Sequence, residues 1–171
     1  MTALIIALRL LHIVSGAFWV GTIITTVFFI EPAAKELDGE GERFFAHLAI
    51  RRRLVVVLAI AATTAIGAGA LLYWIDSAGL RLQWIESHTG IGFTAGALAA
   101  LTAFAIVPIF FRPELDRLTR LASETGSGDG TYGQSVEGTD RSARRFRRWS
   151  LIQVTLLILA IAAMATARYL P

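Results

Sequence analysis

The chain has 171 residues, of which 55% are hydrophobic and only 17% charged, a balance too apolar for an ordinary soluble domain. It contains no cysteine, which excludes disulfides, iron–sulfur clusters, thiolate haem ligation and cysteine nucleophiles. The net charge is only +3, and its arginines flank apolar segments instead of forming a soluble basic surface, so nucleic acid is not an expected partner.

Four charge-free runs, 10–30, 54–75, 87–111 and 149–167, organise the sequence. Each is close to or above the roughly 20 residues a helix needs to cross the hydrocarbon core of a bilayer. They predict an all-α fold: one integral membrane domain over 1–171, built as a bundle of four transmembrane helices at about 4–30, 54–75, 87–111 and 149–168. The first run is longer than the apolar region of a secretory signal and lacks a small-residue cleavage pattern, so it reads as a retained helix. Pro32 is expected to end it. Residues 31–53 form a polar connection whose middle, 43–50, has the composition of a short interfacial helix, and Arg51, Arg52 and Arg53 mark entry into the second span. The connection 76–86 is short and makes the second and third spans antiparallel neighbours. Residues 112–148 form a second long connection with a glycine-rich centre at 126–133.

Charge fixes the expected orientation. Of the 16 Lys and Arg residues, only Arg9, Arg81 and Arg168 lie outside the two long connections. The remaining 16 − 3 = 13 predict, by the positive-inside rule, that 31–53 and 112–148 are cytoplasmic and that both termini are outside, in a bacterial inner membrane. Trp74, Trp84 and Tyr169 fit an outer aromatic belt and Trp149 an inner one; the clustered arginines suit anionic membrane lipids.

Two spans carry a histidine, and a polar side chain in hydrocarbon needs a partner. His12, Gly16, Trp19 and Ile23 share one face of the first span, while His88, Gly92, Gly96, Ala99 and Ala103 form a narrow stripe on the third. On the second, Ala59, Thr63, Gly67 and Ala70 do the same. Such stripes either bring helices close together or leave room for a flat cofactor. His12 can bond Ser15, Thr22 or a nearby carbonyl, or it can ligate haem or a metal. His88 is a candidate second ligand, and His47 lies at the opposite membrane face. Imidazole suits both haem b and copper. Arg9, one turn outward from His12, either snorkels to the interface or pairs with a haem propionate, and Arg81 is the alternative for that pairing. Met1 and Met164 are soft copper ligands in principle. The sequence has no CxxCH, no P-loop, no dinucleotide fingerprint and no HExxH, which argues against an independent hydrolase or nucleotide-dependent enzyme.

The run Leu8-Arg9-Leu10-Leu11-His12-Ile13-Val14-Ser15-Gly16-Ala17-Phe18-Trp19-Val20-Gly21 resembles the first helix of copper-resistance-D-like membrane proteins, and more distantly that of the HemJ-like haem-binding family. The resemblance implies that His12 is the metal or haem residue, with Gly16, Trp19 and Gly21 shaping its surroundings. Three functions follow as expectations. One is a haem b membrane subunit for electron transfer near the outer face, with His12 and His88 as ligands and a quinone or external redox protein as partner. Another is copper binding or transfer, and the third a non-catalytic structural subunit of a homo-oligomer or larger membrane complex.

Overall fold

A computed structural model describes residues 2–37, 40, 41, 44, 47, 48, 53–111 and 136–169. In chain order the elements are α1 (Thr2–Thr25), a π turn (Thr26–Ile30), α2 (Glu31–Glu36), α3 (Leu54–Asp76), α4 (Leu82–Ile85), α5 (His88–Ile106), a second π turn (Val107–Phe111), α6 (Val136–Thr166) and a 3₁₀ turn (Ala167–Tyr169). Four stretches are long and apolar enough to cross a membrane: Thr2–Ala34, Leu54–Asp76, His88–Ile109 and Arg147–Tyr169. Glu40, Gly41, Phe44, His47 and Leu48, within or just before the expected interfacial helix, are helical, and the glycine-rich centre of the second connection lies outside the described residues.

Two boundaries differ from the sequence reading. Pro32 does not end the first helix. The chain passes through it by widening into a π turn, in which the Glu31 N–H bonds the Thr26 carbonyl and Pro32 takes a first-turn position of α2. Proline lacks the N–H that an α-helix sends to the i−4 carbonyl, and a π turn absorbs that defect without breaking the rod. The third span ends the same way: Pro108 leaves the Phe104 carbonyl without its usual donor, and the N–H of Val107 takes it. Also, α6 begins at Val136, well before the apolar run at 149, so that one helix of 31 residues, about 46 Å long, runs from the second connection through the fourth span.

The long helices pack chiefly as two pairs, α1 with α3 and α5 with α6, with fewer contacts between the pairs. In the second pair small residues set the distance. A Cβ on Gly92 would lie 2.8 Å from the Ala167 Cβ, and one on Gly96 would lie 2.7 Å from Met164 Cγ and 3.0 Å from the Ala160 carbonyl oxygen. The groove at Gly92 and Gly96 is therefore filled by side chains of α6 and the turn that follows it. Met164, a copper candidate by type, is one of them. On α3 the packing face differs from the expected one. Ala62, Ala65 and Ala68 are buried, whereas Ala59, Thr63, Gly67 and Ala70 are exposed, and a Cβ on Gly67 would meet nothing. Two interleaved sets of small residues run along this helix, and the partner on α1 selects between them.

A buried cluster of Trp19, Val20, Ala62, Ala103 and Leu157 draws on all four long helices. Trp19 meets Phe104 edge-on at 6.2 Å between ring centroids, tying α1 to α5. Polar side chains close their bonds locally: the hydroxyls of Thr22, Thr26, Thr94, Thr102, Thr155 and Thr166 each donate to the carbonyl four residues back. The buried Gln153 donates through Nε2 to the Ala103 carbonyl at 3.2 Å. Among the described residues no buried side-chain nitrogen or oxygen lacks a partner. Large apolar side chains such as Leu10, Phe18, Ile60, Leu98 and Leu159 point outward, as the surface of a bundle facing hydrocarbon requires.

Gly92→Ala is expected to lower stability by about 1–3 kcal/mol, because backbone as well as side-chain atoms of Ala167 stand in the way. Gly67→Ala, on the open face, should leave stability unchanged or slightly raised. Detergent-to-denaturant titration followed by far-UV circular dichroism compares the two.

Candidate functional site

His12 lies on the α1 face turned to α3. Its Nδ1 is 2.7 Å from the Ala65 carbonyl oxygen. A carbonyl only accepts, so Nδ1 carries a proton and donates, and in the corresponding tautomer of imidazole the lone pair lies on Nε2. The ring fits because residue 69 is glycine: a Cβ there would come within 2.8 Å of Cε1 and 2.9 Å of Nδ1. One turn further along, a Cβ on Gly16 would stand 3.9 Å from that of Ala65, an ordinary contact. Gly69 thus makes a notch, the imidazole occupies it, and the Ala65 carbonyl fixes the ring. Ser15 and Thr22 do not bond the His12 imidazole; Ser15 donates to the Leu11 and His12 carbonyls and Thr22 to that of Phe18.

His88 stands elsewhere. It is the first residue of α5, is exposed, and follows the N-cap Ser87, whose Oγ accepts from the Gly90 N–H at 3.1 Å. Its distance from His12 along the bundle follows from the contacts. His12 sits beside Gly69; Tyr73, four residues on, has its hydroxyl 2.6 Å from the Thr94 Oγ1; His88 is six residues before Thr94. Ten residues at 1.5 Å each is roughly 15 Å, whereas two imidazoles on one metal each approach it to about 2 Å. The structure does not bring His12 and His88 together. His47 is exposed in the first long connection.

Arg9 is the other half of the site at this end. Its guanidinium is 4.0 Å from one oxygen of Asp76, and that of Arg168 is 4.0 Å from the other. A single carboxylate at the end of α3 therefore joins the first and last membrane helices. All three groups are a third or more exposed, so each pair contributes little to stability by itself. Arg81 is exposed at the N-cap of α4. Trp84 of that short helix lies between Tyr73, edge-on at 5.2 Å, and Phe93, stacked at 6.3 Å. Trp19, expected beside His12, is buried two turns further along, in the four-helix cluster. Gly16 and Gly92 are contact positions, the latter on the opposite helix pair.

Asp76, Ala65 and Gly69 are the residues that sequence reasoning passed over. The structure's register accounts for them: with α1 and α3 paired, His12 beside 69 and Gly16 beside 65 both sum to 81, which places the Arg9 level near the end of α3.

Taken together, these elements define a small all-α protein with four candidate transmembrane helices in a compact bundle, tied at one end by a histidine notch and a shared carboxylate. Among the described residues no group of three or more His, Cys, Asp or Glu side chains gathers to hold a metal ion. No family model, curated protein or solved structure matches the chain.

His12→Ala and Gly69→Ala are each expected to cost about 1 kcal/mol, the range of interhelical hydrogen bonds in membrane bundles. Because both changes break one contact, the double variant should cost clearly less than their sum. A double-mutant cycle of denaturation midpoints checks this; strict additivity would show that ring and notch act independently.

Proposed function

We propose that the chain is a non-catalytic structural subunit of a bacterial inner-membrane complex. In this reading its spans are sequential and antiparallel, both termini are outside and both long connections are cytoplasmic. One observation carries the reading: the imidazole of His12, the most functional-looking group in the spans, is seated in the Gly69 notch and bonded to the Ala65 carbonyl as a helix–helix contact. Three further points support it. His88 is remote from His12. The grooves at Gly92 and Gly96 are filled by α6 and its closing turn, which leaves no slot there for a flat cofactor. Arg9 faces Asp76. The outward apolar side chains of α1, Leu10, Ile13, Val14 and Phe18, offer surface to lipid or to neighbouring helices, including a second copy of the chain.

A second reading rests on a specific feature. A histidine whose Nδ1–H donates to a backbone carbonyl is oriented for ligation through Nε2. In that reading His12 supplies one ligand to haem b or copper in an electron-transfer subunit, with Arg81 free for a propionate, the other ligand coming from another chain, and a quinone or external redox protein as the electron partner.

The two are separated by visible spectra of the chain purified in mild detergent after expression with haem and copper supplied, alongside a metal assay. The structural reading expects neither a stoichiometric b-type band on dithionite reduction nor stoichiometric copper. A b-type band lost in His12→Ala would replace it with the haem reading, and copper lost in that variant with the copper reading. Orientation is checked separately. Because the chain has no cysteine, single cysteines at Gly79 and Gly128 can be probed with an impermeant maleimide; the first should label in intact cells and the second only after lysis.

A further inference from the structure

At the end of the bundle opposite the Asp76 pairs, α6 carries a recess of about 470 Å³ lined by Arg145, Arg148, Trp149 and Ile152. These positions are spaced i, i+3, i+4, i+7 and form one helix face. Arg145 and Arg148 are exposed; Trp149 and Ile152 are half-buried. The membrane-crossing stretch begins at Arg147, so the recess straddles the level where a bilayer changes from headgroup to hydrocarbon.

Polarity along this face is graded. Two guanidiniums come first, then an indole, then an aliphatic side chain, all within about 10 Å of helix rise. That order matches a phospholipid met from its phosphate inward, with arginine suited to bidentate phosphate contacts and tryptophan to the interfacial layer. Whereas Arg9 and Arg168 share Asp76, no carboxylate among the described residues pairs with Arg145 or Arg148. We propose that this recess binds the headgroup of an anionic phospholipid from the leaflet on the side of the long connections, with Arg145 and Arg148 holding the phosphate and Trp149 and Ile152 the upper part of the acyl chains. The site is independent of the role assigned to His12.

The test uses the full chain, delipidated in mild detergent and titrated with phosphatidylglycerol or with phosphatidylcholine of the same acyl chains, the bound lipid being counted by native mass spectrometry. One phosphatidylglycerol per chain should bind in preference to phosphatidylcholine. Arg145→Gln/Arg148→Gln should weaken it roughly tenfold or more, in line with the attraction of two basic residues near an anionic surface. Arg145→Lys/Arg148→Lys, which keeps the charge, should retain much of the affinity and guards against a folding defect, as does an unchanged circular dichroism spectrum. Arg147→Gln, off this face, should have a much smaller effect. Equal affinity for the two lipids would overturn the proposal, as would an equal loss from Arg147→Gln, which would indicate a general basic belt. Displacement of the lipid by inorganic phosphate at constant ionic strength would assign the recess to free phosphate instead.

Discussion

The constraint behind this architecture is that hydrocarbon offers no hydrogen bonds, so every polar group placed in it must find a partner within the protein. The chain meets that demand in three ways. Threonine hydroxyls fold back on their own helices. Gln153 reaches from α6 to a carbonyl of α5, and His12 reaches from α1 to a carbonyl of α3. The latter two bonds act between helices and fix which faces meet. Without water to drive helices together, close van der Waals contact supplies the rest of the attraction. This is why glycine appears opposite the groups that must approach most closely: Gly69 under the imidazole, Gly92 against Ala167, Gly96 against Met164.

The same physics explains the two proline sites. A proline within a spanning helix frees a carbonyl that lipid cannot satisfy. Both helices loosen into a π turn near the end of the span, and at the second site the freed Phe104 carbonyl accepts from the N–H of Val107. The defect is handled locally, and the rod continues as far as α2 in the first case.

Much of this was legible in the sequence, and the exceptions have identifiable causes. Span number and approximate position followed from charge-free length, because transfer of a charged side chain into hydrocarbon dominates every other local term. Which small residues of α3 pack was not legible. Ala59, Thr63, Gly67 and Ala70 have the same spacing as a packing stripe, but selection lies with His12 on another helix. The early start of α6 was hidden because polar, arginine-rich sequence reads as connection, although it is helical here. His12 was recognised as a residue needing a partner; that the partner is the carbonyl of Ala65 depends on register, which hydropathy does not encode. The resemblance of residues 8–21 to metal-handling families finds no match over the chain, and the contact His12 makes is with the Ala65 carbonyl.

The distribution of the interhelical polar bonds has a bearing on assembly. The His12–Ala65 bond and the Arg9–Asp76 pair lie wholly within the first two spans, and the Gln153–Ala103 bond wholly within the last two. Each half of the polypeptide can thus match His12 or Gln153 as soon as its own second helix has been synthesised. Tyr73–Thr94, Arg168–Asp76, Trp19–Phe104 and the cluster of Trp19, Val20, Ala62, Ala103 and Leu157 are among the contacts made when the halves meet. A nascent chain with this contact order need not carry an unmatched histidine until translation ends.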